Sequence, residues 1–419
     1  MSRTKIRDLA VIAVVVAAGM VWYGFAVSVA WQTRRADSDI GRNWVVGRYL
    51  LAGRNPYALS EQLLALQFGA GNPESVHISA IDQNVPQGWE SEMEPGLGPP
   101  ETTYPPPAAG FFALLLGWMP SADAVLVAWQ AVNVLALLAL AFLLSRWYAA
   151  PQWLPGPAWV WFLALALLQL PAYYTVVSAQ VGLVVLVCLL VGCRRESGNL
   201  VAGLALGTAL IKPSIALPFM ALPVAQHRWR PLAIAALFQG ALFAGVAWAA
   251  QEDPLTLLRR WLNVTGYFVP VTPYTLHEVI NRLGWQAAGL IPLAAALALI
   301  GGFTLLLRRA SGGRLLGFVS VASCLWMYHL PYDFVCLLPG LVVLLGWEKP
   351  SHGRQPSWAL RWLAVGAVVV VLNLALSDAV VTEEWPASRL LRWAGRLAVV
   401  GVLVASSCAV VRARRAALG

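Results

Sequence analysis

Long apolar runs recur along this chain, and they limit its possible folds more than any other feature. The first run extends from about Leu9 to Trp31 and follows the basic residues Arg3, Lys5 and Arg7. A helix needs roughly 20 apolar residues to cross a bilayer core about 30 Å thick. The apolar part of a signal peptide is shorter, about 7–15 residues. We therefore predict a membrane-spanning helix here, with its N-terminus in the cytoplasm.

The same pattern continues to the end of the chain. Of its 419 residues 59% are hydrophobic and only 12% are charged, whereas soluble domains average about 25% charged residues. We predict an all-α integral membrane protein that forms a single domain over residues 1–419. The twelve predicted spans lie near residues 9–31, 124–145, 156–173, 178–193, 198–211, 213–226, 231–250, 286–307, 315–328, 332–347, 361–377 and 389–411. The two spans that meet at Lys212 are short enough to form a hairpin buried among its neighbours.

The basic residues indicate an orientation. Cytoplasmic loops of membrane proteins are enriched in lysine and arginine, and every predicted inner loop is basic. These residues are Arg146, Arg194, Arg195, Arg228, Arg230, Arg308, Arg309, Arg314, Lys349, Arg354, Arg412, Arg414 and Arg415. We predict a multi-pass protein of the inner (plasma) membrane with both termini in the cytoplasm. Because the net charge of +9 is spread over short clusters, it does not indicate a nucleic-acid partner.

The largest polar segment, residues 32–107, follows the first span and is predicted to lie outside. Within it, residues 39–51 interleave tryptophan, valine and leucine with arginine, as interfacial helices do. Residues 108–119 are apolar but too short for a comfortable span, which favours a second surface or partly inserted helix. The remaining transmembrane bundle is expected over residues 108–411.

Polar side chains at membrane depth are costly, so each is a candidate functional group. Lys212 could hold a phosphate, or it could reach the outer headgroups as membrane lysines often do. His329, with Asp333 nearby to orient it, could bind a phosphate or share in proton transfer, or it could be an ordinary interfacial histidine. Gln180 could contact a hydroxyl or phosphate, or it could join helices.

Asp39 lies at the start of the predicted outer helix. It could act as a general base on an acceptor hydroxyl, or it could only stabilise the helix N-terminus. Asp37 competes for the catalytic role.

Several classes of site are missing from the sequence. It has no histidine pair with metal-ligand spacing, no phosphate-binding Walker loop, no dinucleotide fingerprint and no nucleophile elbow. We predict no metal and no cofactor, so an activated substrate must arrive through the membrane. The five cysteines lie in or beside apolar runs, where disulfides are not expected. They are Cys188, Cys193, Cys324, Cys336 and Cys408.

The segment from Asp39-Ile40 through Gly47-Arg48-Tyr49-Leu50-Leu51-Ala52-Gly53-Arg54-Asn55-Pro56-Tyr57 resembles a characteristic stretch of glycosyltransferase family 87. The resemblance covers roughly residues 35–235. Its further motifs are Tyr104-Pro105-Pro106, Trp129, Asn133, Ala179-Gln180-Val181, Ala202-Gly203, Leu206-Gly207, Ile211-Lys212-Pro213 and Arg228-Trp229-Arg230. The chain departs from the family pattern in three places: Ile40 replaces an aromatic residue, Ala179 replaces glycine, and the outer loop over residues 60–103 is longer than usual.

The resemblance implies a GT-C fold with a long first outer loop that carries membrane-parallel helices. It also implies an inverting enzyme that uses a polyprenyl-phosphate-sugar donor. It selects Asp39 over Asp37 as the catalytic base because only Asp39 has the right distance to Gly53. The implied donor-phosphate contacts are Lys212, His329, Arg42 and Arg48. The implied substrate contacts are Gln180, Tyr104, Tyr57 and Asp333.

We therefore expect transfer of a hexose, mannose by analogy with the best-known relatives, to a lipid or glycan acceptor on the outer face. The alternatives are a transporter or flippase for a lipid-linked or small polar substrate, and a structural subunit of a polymer-assembly system. Transporters often carry internal repeats with matching broken helices, and the two halves of this chain show no convincing repeat.

Overall fold

The computed structural model describes residues 3–33, 38–61, 104–149, 156–268, 291–308, 311–326 and 331–345. Within these ranges helix is the only regular secondary structure, which confirms the all-α prediction. The α-helices are α1 Arg3–Thr33, α2 Asp39–Leu51, α3 Pro106–Leu116, α4 Ala122–Trp147, α5 Ala158–Leu167, α6 Leu170–Val177, α7 Gly182–Cys193, α8 Asn199–Ala209, α9 Pro213–Phe219, α10 Ala221–Ala225, α11 Trp229–Ala249, α12 Pro254–Phe268, α13 Ile291–Leu306, α14 Gly312–Trp326 and α15 Leu338–Leu344. A 3-10 helix over Pro331–Leu337 precedes α15.

Three described helices are long and apolar enough to cross a membrane: Asp8–Ser28 within α1, Ala122–Trp147 and Trp229–Ala249. A fourth span is possible if α5 and α6 count as one bent helix. These helices fit a membrane protein. The predicted spans over residues 361–377 and 389–411 lie outside the described residues, so the total of twelve remains a prediction.

The span predicted over residues 156–173 is not one continuous helix. It is divided into α5 and α6, with a bend of 73°. Gln169 is extended at the break, and Pro171 lies in the first turn of α6, where the missing proline N–H costs no helical hydrogen bond. The chain therefore changes direction between these helices without losing backbone pairing inside either of them.

Close helix packing joins α8 to α11. Gly203 and Gly207 lie four residues apart, on one face of α8. A Cβ atom on Gly203 would come within 2.5 Å of Ile234, and one on Gly207 within 2.7 Å of Phe238, both on α11. Small residues at such contacts allow membrane helices to approach closely. The two glycine motifs therefore fix how α8 packs on α11.

Arg228 joins the turn after α7 to the start of α11. Its guanidinium donates to the backbone carbonyls of Gly192, Arg194 and Ser197, at 3.4, 2.6 and 3.0 Å. Carbonyls at a helix C-terminus lack partners within the helix and carry partial negative charge, so a cation stabilises them. Arg228, the first residue of the Arg228-Trp229-Arg230 motif, thus has a structural role.

Other contacts gather at the same end of the bundle. The Trp147 indole N–H donates to the carbonyl of Leu190 at 3.2 Å, and the Tyr148 hydroxyl donates to Gly313 at 2.8 Å. The end of α4, the end of α7 and the start of α14 therefore meet. Arg146, Arg194, Arg195, Arg228 and Arg314 lie at or next to these helix ends, and we call this the basic end.

The structure contains a helix that the sequence reading missed. α12 lies between the predicted spans that end at residue 250 and begin at residue 286, where the sequence analysis predicts only a connecting segment. Asp253 accepts hydrogen bonds from the N–H groups of Leu255 and Thr256, both at 3.0 Å. Hydrogen bonds from Thr256 lower the pKa of Asp253. Asp253 followed by Pro254 is a helix-start signal that could have revealed α12.

The Asn55-Pro56-Tyr57 motif anchors the chain to α12. The Asn55 side-chain oxygen accepts from the N–H of Tyr57 at 3.0 Å, at the start of a helical stretch over residues 56–61. The Asn55 amide also donates to Glu252. Arg260 pairs with Glu252 at 2.8 Å and with Glu61 at 2.6 Å. This network ties the segment after α2 to the junction of α11 and α12.

We predict that Arg228→Ala lowers stability by about 1–3 kcal/mol, because it removes charge-assisted hydrogen bonds to three carbonyls. The midpoint of thermal unfolding in detergent should fall. Arg230→Ala is the matched control, since Arg230 is exposed two residues away on the same helix end. Equal midpoints for the two variants would contradict the role assigned to Arg228.

Candidate functional site

Four residues that the sequence reading selected meet in one cluster. The Lys212 ammonium lies 2.5 Å from a carboxylate oxygen of Asp333 and donates to the Gln180 side-chain oxygen at 3.2 Å. The Tyr104 hydroxyl donates to the same Gln180 oxygen at 3.1 Å. We call these four residues the Lys212 cluster. It joins four segments that are far apart in the sequence.

Three of the four cluster residues are buried, and Tyr104 is half-buried. Lys212 is 9% exposed, Asp333 2% and Gln180 1%. A lysine that reaches the headgroups would direct its ammonium away from the bundle, whereas Lys212 directs it to an internal carboxylate. The Lys212 ammonium therefore does not extend toward the headgroups in this structure. Buried charges are tolerated when they are paired and hydrogen-bonded.

Short helices place the cluster inside the bundle. α7 has 12 residues and α8 has 11, so they are about 18 and 16 Å long at about 1.5 Å per residue. Both have one end near Arg228 and the other near Gln180 or Lys212. A hydrocarbon core is about 30 Å thick. The cluster therefore lies one short helix length, about 16–18 Å, from the basic end.

The turn that carries Gln180 is tightly held. The Gln180 N–H donates to Thr175 at 2.8 Å, and the Trp129 indole N–H donates to the Gln180 carbonyl at 3.2 Å. Ala179 has a φ of 49°, in the left-handed region that glycine adopts most easily. This explains why glycine is usual there in the family that the sequence resembles. Trp129 orients the turn, a role that its position within a long apolar helix did not reveal.

Asp39 lies beside the same turn. Its backbone N–H donates to the carbonyl of Ser178 at 3.2 Å. The cap of α2 is Ser38, whose hydroxyl oxygen accepts from the N–H of Gly41 at 3.1 Å. The sequence reading left open that Asp39 itself caps this helix. Ser38 has the capping role, and Asp39, in the first turn, still stabilises the helix N-terminus through its charge.

Tyr57 holds the backbone of Tyr104 in place. The fully buried Tyr57 donates its hydroxyl to the Tyr104 carbonyl at 3.0 Å. The Tyr104 ring lies edge-on to Phe112, with centroids 5.8 Å apart, and its centroid is 5.9 Å from the Lys212 ammonium. The Tyr104 side chain therefore contacts Gln180 and faces Lys212, whereas the Tyr57 hydroxyl contacts the Tyr104 backbone.

Arg42 and Arg48, the two arginines expected at the donor phosphate, lie on different sides of α2. Arg48 donates to the carbonyl of Gly117 at 3.3 Å. At about 100° per residue, Arg48 lies about 180° around α2 from Asp39, and Arg42 only about 60°. Arg42 is therefore the arginine on the Asp39 side of α2. His329 and Asp37 lie outside the described residues.

Asp333 is fixed by its own helix. Three residues make one turn of a 3-10 helix, so Cys336 lies one turn beyond Asp333 on the same side. The Cys336 sulfur is 3.2 Å from that of Cys324 and 3.5 Å from the Ser323 hydroxyl. Both thiols are buried. These contacts hold the 3-10 helix against α14 and so hold Asp333 against Lys212.

The cluster offers a cation with neighbouring amide and hydroxyl groups, a combination suited to a phosphate. Asp39 adds a carboxylate next to the turn that carries Gln180. Among the described residues, no three His, Cys, Asp or Glu side chains form a group able to hold a metal ion.

Comparison with known proteins gives one match. The model of glycosyltransferase family 87 matches residues 103–372 of the chain, a range that includes Tyr104, Gln180, Lys212 and Asp333. Comparisons with curated proteins and with solved structures return no match.

We predict that Ala179→Gly costs little or no stability. Relief of the left-handed strain, about 1–2 kcal/mol, offsets the backbone entropy of glycine, about 0.5–1 kcal/mol, and the lost methyl, about 0.8 kcal/mol. Ala172→Gly is the matched control, since Ala172 is equally buried but helical. Its unfolding midpoint should fall clearly below that of Ala179→Gly, and the reverse order would contradict the strain at Ala179.

Proposed function

Because this chain belongs to glycosyltransferase family 87, we propose that it transfers a hexose from a polyprenyl-phosphate-sugar to a lipid or glycan acceptor. The hexose that we propose is mannose. Family membership makes it a glycosyltransferase. The proposal adds the donor class, the sugar, the acceptor class and the residues that act on them.

The observation that carries the donor class is the Lys212 cluster, in which Lys212, Asp333 and Gln180 are buried. A lysine ammonium, a glutamine amide and a tyrosine hydroxyl lie together inside an apolar helical bundle. A phosphate attached to a long prenyl chain suits such a place, because the chain can remain in the lipid while the phosphate enters the bundle. We assign the donor phosphate to Lys212, with Gln180 and Tyr104 beside it.

Asp39 is the proposed base. It accepts the proton of the acceptor hydroxyl while that oxygen forms a bond to the anomeric carbon of the sugar. The bond between this carbon and the phosphate oxygen breaks, and its electron pair leaves with the phosphate. The configuration at the anomeric carbon inverts. The products are the glycosylated acceptor and the polyprenyl phosphate.

Negative charge develops on the departing phosphate during this step. Fixed cations stabilise such charge most strongly where water is excluded. In the proposal Lys212 has this role, together with His329 and with Arg42, the arginine on the Asp39 side of α2. Arg48, which donates to Gly117, is the weaker candidate for the same role.

We place the site on the outer side of the membrane. The basic end of the bundle carries the arginines that positive-inside loops would contain, and the Lys212 cluster lies away from that end. Both termini would then be cytoplasmic, in a GT-C fold with its site open to the outer leaflet.

We predict that Asp39→Asn lowers transfer from a synthetic polyprenyl-phosphate-sugar at least about 100-fold, the lower range for loss of a general base. Donor binding and the unfolding midpoint should change little. The measurement is the transfer of radiolabelled sugar by purified protein.

Asp123→Asn is the matched control for the charge near a helix N-terminus, since Asp123 lies in the first turn of α4. This variant should keep full activity. Turnover by Asp39→Asn at the wild-type rate would remove Asp39 from the mechanism. If wild type transferred no sugar yet moved labelled substrate across vesicle membranes, the transporter alternative would replace the proposal.

We predict that the paired change Lys212→Gln with Asp333→Asn keeps the fold but abolishes donor binding. Removing Lys212 alone would leave Asp333 as an unpaired buried charge, which costs about 3–5 kcal/mol. Replacing both residues by amides keeps their size and hydrogen-bonding capacity. Binding of the donor to the stable double variant with wild-type affinity would contradict the phosphate assignment.

A further inference from the structure

The charge of Lys212 is already balanced before any substrate binds. Its ammonium is 2.5 Å from the Asp333 carboxylate, and both side chains are buried. A phosphate that binds Lys212 therefore brings a second anion close to Asp333. At short range and in a poorly solvated place, two like charges repel strongly.

The donor and the product of the proposed reaction differ in charge. A polyprenyl-phosphate-sugar is a phosphodiester with one negative charge. The polyprenyl phosphate that remains is a monoester, which carries about 1.5–2 negative charges near pH 7. The repulsion from Asp333 is therefore greater for the product than for the donor.

We propose that Asp333 makes the site select the phosphodiester donor over the phosphomonoester product and so promotes release of the spent lipid carrier. This inference rests on the proposed function, since it takes the Lys212 cluster as the donor phosphate site. It gives Asp333 a positioning and selectivity role distinct from the orientation of His329.

Asp333 is held where this repulsion acts. It is 2% exposed, and its 3-10 helix contacts α14 through Cys336 and Cys324. The Lys212 ammonium is held by Gln180 as well as by Asp333. A flexible surface carboxylate would turn away from an incoming anion, whereas this one is restrained on both sides.

The same repulsion is less costly to the reaction itself. In the transition state the phosphate carries only part of its second negative charge, whereas in the bound product it carries all of it. Asp333 therefore weakens product binding more than it raises the barrier. An enzyme whose product shares the lipid tail of its substrate needs such a distinction, because the tail contributes equally to the binding of both.

The test compares two ligands with the same tail, farnesyl phosphate and farnesyl methyl phosphate, at pH 8. The first represents the doubly charged product and the second the singly charged donor phosphate. Their dissociation constants are measured by calorimetry with wild type, Asp333→Asn and, as the matched control, Asp123→Asn. No sugar transfer is needed for this measurement.

Wild type and Asp123→Asn should bind the methyl ester more tightly than the monoester. Asp333→Asn should shift the ratio toward the monoester by about 10- to 100-fold, the size expected for one extra charge about 6 Å away in a partly screened site. If Asp333→Asn does not fold, the wild-type preference is measured again at pH 5, where the monoester carries about one negative charge. The preference for the methyl ester should then disappear, and its persistence would overturn the selectivity role.

An unchanged ratio in a folded Asp333 variant would overturn the selectivity role while leaving the donor site intact. Tighter binding of the monoester by wild type would overturn it too. If wild type bound neither ester, the proposed donor site and this inference would both fail.

Discussion

The buried ion pair of Lys212 and Asp333 is the interaction on which the arrangement of this site depends. It joins the turn between α8 and α9 to the 3-10 helix that precedes α15. Removing two charges from water costs several kcal/mol per ion, and only good geometry and further hydrogen bonds recover it. Gln180 provides one of those bonds. The surrounding apolar helices have to hold both partners in place, because either residue left alone would be an uncompensated charge in the bundle.

The helices next to this pair are arranged for that task. α7 and α8 are too short to cross a membrane, so they end inside the bundle and place Gln180 and Lys212 there. Glycine contacts hold α8 against α11, and the Arg228 hydrogen bonds fix the end of α7 at the basic end. Ala179 adopts a left-handed conformation to direct Gln180 inward. Backbone strain, close packing and charge pairing therefore serve one small polar region within an apolar fold.

Much of this could be predicted from local patterns. The apolar runs, the proline after Lys212 and the alternation within residues 39–51 indicated helices that the structure contains, and α2 has the predicted bounds. The break at Gln169 is not evident in the sequence because the apolar run continues past it. The helix α12 is not evident because its segment is short and amphipathic rather than apolar. Partners were harder still. Asp333 was expected to orient His329, and its contact with Lys212 depends on how distant helices pack, which no local pattern contains.

In the proposed reaction negative charge moves across the site. Before transfer Asp39 is charged and the donor phosphate carries one negative charge. Afterwards Asp39 holds the acceptor proton and the phosphate carries the second charge. The sum is unchanged, but the charge has moved toward Asp333, which opposes it. The two carboxylates thus act at opposite ends of one transfer: Asp39 draws the reaction forward by taking a proton, and Asp333 favours departure of the product. Release of the carrier and loss of the proton from Asp39 together restore the starting state, in which Lys212 is paired with Asp333 and no phosphate is bound.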